Sequence, residues 1–214
     1  GFKSLDEKIK EGNLKAGDRV YLVNKNKAVV LFVIGSEDLE NGMSIVGSHT
    51  DSPRLDLKPV PIFEDSSIAY FKTHYYGGVK KYQWTTIPLA LHGIIFTKDG
   101  EKVEVSIGEN DDEPVFTISE LLIHLSRKQL EKPAREAVEG EQLKLIVGSI
   151  PLADEDDNPV KKNILKILNE KYGIIEEDFI TAEFEVVPAI KARNAGLDNS
   201  MVIGHGQDDR VCAY

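Results

Sequence analysis

Cysteine is the scarcest reactive residue in this 214-residue chain: there is one, Cys212. A single thiol cannot build an internal disulfide framework, which points to a reducing compartment, and a cytoplasmic location is expected. Positive charge is also in deficit. Lys and Arg number 26 against 36 Asp and Glu, for a formal net charge of -10. An acidic chain makes a poor partner for nucleic acid or an anionic membrane surface. Lys80-Lys81 and Lys161-Lys162 are isolated pairs, explained by solvated faces. No apolar run approaches the roughly 20 residues of a membrane span, and no signal peptide opens the chain. Gly77-Gly78 is not followed by Gly-Lys-Ser/Thr, so no phosphate loop is present. Internal repeats and low-complexity segments are absent too. The first residue is Gly1, not Met, and "DDRVCAY" ends without a stop signal, so a piece of a longer protein is expected.

What remains is ordinary for a globular protein: 41% hydrophobic and 29% charged residues, and enough length for a real core. "SLDEKIKEGN" predicts a short helix between Ser4 and Gly12. "RVYLVNKNKAVVLFVIG" predicts a hairpin about Asn24-Lys25-Asn26-Lys27. "MSIVGS" reads as a short strand buried on both faces. "LDLKPVPIF" reads as an extended edge, since proline cannot donate to a ladder. A second hairpin is expected about Asp99-Gly100. Thr117 and Glu120 stand at capping-box spacing, and Ile118, Leu121, Leu122 and Leu125 form an apolar stripe, which predicts a helix. Asn158, Pro159 and Gly173 frame a further helix as cap, first residue and stop. "DFITAEFEVVPA" reads as a strand. The last segment reads as strand, glycine turn and the start of a helix. The fold class expected is α/β.

"IVGSHTDSP" places His49 and Asp51 just beyond an apolar run. An imidazole there can bind a metal, and a carboxylate two residues on can orient it. The plainer reading is a loop histidine, with Asp51 opening a turn before Pro53. "IGHGQDDRV" repeats the layout: apolar run, small residues, then Asp208 and Asp209. Either aspartate can instead cap the helix that follows.

Four blocks in order, "SHTDSPRLDLKP", "YGGVKKYQWTTIPLALHG", "IHLSR" and "GHGQDDRVCAY", resemble the aspartyl aminopeptidase family of dinuclear zinc metallopeptidases, its bacterial branch in particular. The resemblance spans about the first half of the family's chain. It implies that His49 binds one zinc, that Asp51 orients the site, and that Asp208 bridges the two metals. A Glu-Glu pair that supplies the general base and a ligand, a further aspartate and a C-terminal histidine would lie beyond Tyr214, so this chain alone is not expected to be active. The resemblance implies removal of N-terminal Asp or Glu from peptides, by water activated between two metals. Cobalt or manganese suit the same ligands as zinc.

The same resemblance implies a catalytic α/β domain in two parts, residues 1–63 and 187–214, interrupted by a strand-rich dimerisation domain over 64–186. Dimers would build a larger homo-oligomer, and His124 of "IHLSR" would reach a neighbouring subunit's active site. On the predicted helix His124 lies about 60° from Leu121, beyond the stripe's edge; an ordinary flanking histidine is the plainer reading. His74 and His92 fall on predicted strands and read as structural. His205 lies between glycines and is not a family ligand, and Cys212 reads as a small core residue. Two other functions stay open: a non-catalytic oligomerisation fragment without a complete metal site, and a dinuclear hydrolase such as an esterase.

Overall fold

The computed structural model describes residues 1–214. The chain divides into two compact units, Gly1–Ser48 and His49–Tyr214. In the first, β1 (Lys3–Ser4) leads into α1 (Leu5–Glu11), followed by β2 (Arg19–Asn24) and β3 (Ala28–Val33). β1 pairs parallel with β2, and β2 pairs antiparallel with β3. The expected hairpin turn is there. Lys25 and Asn26 both take positive φ, the hand that suits a tight turn between twisted strands. Gly12 closes α1 in the left-handed region. Residues 43–48 form no strand, contrary to expectation, and Val46 is 98% exposed. A strand buried on both faces needs neighbours to satisfy its backbone groups, and these residues have no ladder partner in the chain.

The second unit contains β4 (Arg54–Asp65), β5 (Ile68–Tyr76), β6 (Leu89–Phe96), β7 (Lys102–Ile107), short helices α2 (Arg127–Leu130) and α3 (Ala134–Ala137), β8 (Leu145–Gly148), α4 (Pro159–Tyr172), β9 (Glu183–Pro188), β10 (Arg193–Ala195), β11 (Met201–Ile203) and α5 (Gln207–Val211). Six of its strands form one sheet in the order β7-β6-β9-β4-β5-β8. Every ladder in that sheet is antiparallel. Leu55, Phe71, Leu91, Leu145 and Val186 are buried in its core, with Ile174 and Phe179 from the segment after α4. The boundaries expected at 63/64 and 186/187 fall within β4 and β9.

β4 is central, not an edge. Its prolines are tolerated because the β4–β5 register breaks between Leu57 and Ile62, and β9 pairs only with Leu55 and Asp56. Pro59 and Pro61 thus sit where no ladder donor is required. β6 and β9 approach so closely that a Cβ on Gly93 would lie 2.0 Å from the Glu183 carbonyl oxygen.

Of the helix expected from Thr117 to Pro133 only the short α2 forms, and residues 117–125 are not helical. Ile146 N–H donates to the Thr117 carbonyl, and Thr86 N–H to that of Ile118. Those carbonyls are spent on sheet-type bonds and cannot start a helical ladder. Ile118 is buried, whereas Leu121, Leu122, Ile123 and Leu125 are exposed on an irregular segment. No helix of the chain is long and apolar enough to cross a membrane.

Candidate metal centre

Antiparallel pairing decides what surrounds His49. Arg54 at the start of β4 is opposite Tyr76 at the end of β5. The loop that precedes β4, residues 49–53, therefore meets the turn that follows β5, Gly77-Gly78. Pro53 packs where Gly77 has no side chain: a Cβ there would lie 3.4 Å from Pro53 Cγ.

The C-terminal turn joins from the other side. His205 Nε2–H donates to the Pro53 carbonyl at 3.0 Å, and its ring meets Trp84 edge-on at 5.8 Å. Gly206, at φ 74°, lies over Ser52; a Cβ on it would come within 2.2 Å of the Ser52 hydroxyl. That hydroxyl is buried and makes no hydrogen bond. The result is an open depression of about 510 Å³ lined by His49, Asp51, Pro53, Tyr76, Gly77, Gly78 and Asp209.

Within it, His49 Nδ1 lies 3.3 Å from the Asp51 carbonyl and 3.3 Å from Asp51 Oδ1. Both neighbours accept only, so Nδ1 carries a proton, and in the neutral ring Nε2 presents the lone pair. Tyr76 O–H donates to the other carboxylate oxygen, Asp51 Oδ2, at 2.8 Å. That hydrogen bond holds the Asp51 carboxyl below the usual carboxylate range. The same bond, with the carboxylate's charge, pushes the Tyr76 phenol up.

The structure thus brings His49 and Asp51 together with Asp209. Asp208, on the same short helix, is exposed and does not line the depression. His124 is exposed in the turn at 123–125, not on a helix. Cys212 is exposed rather than in the core. His92, on β6, meets Glu109 at 2.8 Å, and His74, on β5, stacks on Tyr75. Sequence reasoning passed over Tyr76 and Arg54 and set His205 aside as a non-ligand. Only strand register, which pairs Arg54 with Tyr76, could have drawn attention to the first two.

Imidazole and carboxylate are the donor types zinc takes, and a histidine whose Nδ1–H is held by a carboxylate is preset to ligate through Nε2. The number of donors falls short. Nowhere in the chain do three or more His, Cys, Asp or Glu side chains gather as a metal site. These residues are a partial donor set.

The family model described as aminopeptidase I zinc metalloprotease (M18) matches residues 1–214. The probable M18 family aminopeptidase 1 of Clostridium acetobutylicum is 55% identical over 216 residues, which cover 100% of this chain and 46% of the relative. The crystal structure of an M18 aminopeptidase from Thermotoga maritima superimposes with a TM-score of 0.87 at 48% identity, covering 100% of this chain and 46% of that one. A more distant likeness, to the mApe1 dodecamer of S. cerevisiae, has a TM-score of 0.55 at 19% identity, over 87% of this chain and 40% of that one. The chain spans about 46% of the length of the Clostridium relative.

Proposed function

The chain belongs to the M18 family of aminopeptidase I zinc metalloproteases, and from that premise we propose that it is part of a metallo-aminopeptidase that removes N-terminal Asp or Glu from peptides. The observation that supports a metal role is the orientation of His49: its Nδ1 side faces the Asp51 carbonyl and carboxylate, which leaves Nε2 as the ligand atom. The carboxylate that bridges two metals would come from α5. The resemblance assigns Asp208, the depression is lined by Asp209, and the pair enters the proposal together. Zinc, when bound, would polarise the scissile carbonyl and lower the pKa of a bound water. Cobalt or manganese would serve the same donors. Within this chain, His49 would ligate, Asp51 would fix its ring, and the 49–53 loop with Gly77-Gly78 would form one wall of the substrate cleft.

Assembly is the second part of the proposal. The irregular segment at 121–125 exposes four large apolar side chains around His124, with Leu122 70% exposed. Apolar surface of this kind marks a contact between subunits. A homo-oligomer built from dimers through the strand-rich part of the chain would cover it, and would bring His124 to a neighbour's active site. The domain division, 1–63 with 187–214 around 64–186, belongs to this proposal, as does a cytoplasmic location, which rests on the single cysteine. The other reading is a non-catalytic oligomerisation fragment.

The test is a panel of peptides differing only in their first residue, offered to the full-length zinc-loaded protein. Asp- and Glu-peptides are expected to be cleaved from the N-terminus with the highest kcat/KM. A preference for neutral or basic first residues would refute the acidic specificity. No cleavage of any peptide would favour the assembly module.

A further inference from the structure

His49 and Asp51 lie on a loop without regular secondary structure, and their side chains are about half exposed, at 59% and 49%. Such side chains are free to change rotamer, and an imidazole that swings loses its ligand geometry. One contact ties this pair to the sheet. Tyr76 is the last residue of β5, and its O–H reaches Asp51 Oδ2 at 2.8 Å, while Asp51 Oδ1 faces His49. The carboxylate therefore bridges a phenol and an imidazole. Tyr76 is itself held. The Arg54 guanidinium lies 4.2 Å from the centroid of its ring, and Arg54 Nε is paired with Asp56 at 2.8 Å and Glu185 at 3.1 Å. Arg54 and Asp56 are on β4, Tyr76 on β5 and Glu185 on β9, so three adjacent strands stand behind one hydrogen bond.

The geometry points to Tyr76 as a positioning residue that fixes His49 through Asp51. The chain of contacts runs from sheet to ligand: Glu185 and Asp56 hold Arg54, Arg54 covers Tyr76, Tyr76 anchors one oxygen of Asp51, and the other oxygen, together with the Asp51 backbone carbonyl, sets the tautomer and tilt of His49. A hydrogen bond to an ionised carboxylate is about twice as strong as a neutral one, which suits a single tether on an irregular loop. The link to metal binding rests on the reading of His49 as a ligand; the link to its tautomer does not.

The experiment is Tyr76→Phe in the full-length protein, which keeps the ring and its Arg54 contact and removes only the donor. The first readout is the metal-free protein with 15N in its histidine rings, studied by magic-angle-spinning NMR above the ordinary imidazole titration range. In the unaltered protein His49 should show one tautomer, protonated at Nδ1; in Tyr76→Phe it should show a mixture of both. The second is zinc affinity by competition with a chelator, where loss of a group behind a ligand weakens binding by roughly 10–100-fold. An unaltered single tautomer in Tyr76→Phe overturns the proposal whatever zinc does. Unaltered zinc affinity in a protein that does bind zinc overturns it as well. If the unaltered protein takes up no zinc, the ligand reading of His49 fails, and the tautomer still decides the role of Tyr76.

Discussion

Glu64, on β4, caps a helix that begins 95 residues later: its Oε2 accepts the backbone N–H of Val160 at 2.9 Å and that of Lys161 at 3.0 Å. Asn158, in the cap position of α4, makes no side-chain cap hydrogen bond. A carboxylate is well suited to the positive end of a helix, where backbone donors lack partners. Loss of a cap costs about 0.5–2 kcal/mol. Glu64→Ala should therefore destabilise the second unit by about 1 kcal/mol, while Asn158→Ala should cost less. Urea unfolding of both variants measures the difference, and the order would reverse if Asn158 were the true cap.

Gly206 and Ser52 form the joint between the C-terminal turn and the His49 loop. A Cβ on Gly206 would overlap the Ser52 hydroxyl, and φ 74° is poor for any L side chain. Gly206→Ala should lift α5, with Asp208 and Asp209, away from the loop and reduce activity of the full-length protein at least tenfold. Ser52→Ala removes the overlapping oxygen. Combined with Gly206→Ala it should recover part of the loss, a coupling that a double-mutant cycle reads directly. Strictly additive effects would show that the two residues do not touch.

Glu113 closes the loop after β7. Its Oε2 accepts three backbone N–H groups, from Gly108, Glu109 and Asn110, at 3.0, 3.1 and 3.2 Å. Those bonds, led by the one from Asn110, hold its carboxyl below the usual glutamate range. A depressed carboxylate stabilises the fold fully above its unfolded pKa, about 4.3, and the contribution is lost as pH falls through the lower folded value. Amide exchange at these three residues should thus stay protected as pH drops through the ordinary glutamate range, and open only below it. Glu113→Gln should abolish that pH dependence.

What the sequence made legible follows from which interactions are local. The hairpins at Lys25-Asn26 and Asp99-Gly100, and the α4 boundaries at Pro159 and Gly173, depend on residues within a few positions, and all formed as expected. The segment at 117–125 failed because its carbonyls pair with Thr86 and Ile146, partners that periodicity cannot see. Pro59 and Pro61 misled for the opposite reason. A local rule about proline was applied without the register break that accommodates it. At the site, His49 and Asp51 could be picked out because only Thr50 separates them. Tyr76, Arg54 and His205 act across strands and turns, and only the folded chain brings them to the loop.

We propose His49 as a zinc ligand held in place by Asp51 and the 49–53 loop. The most direct measurement is the zinc content and turnover of the full-length protein beside His49→Ala, Asp208→Asn and Asp209→Asn, each checked for an intact fold. His49→Ala should lose bound zinc and lose activity by orders of magnitude, and whichever aspartate variant loses zinc with it identifies the carboxylate from α5. Full zinc content with unaltered turnover in His49→Ala would contradict the account.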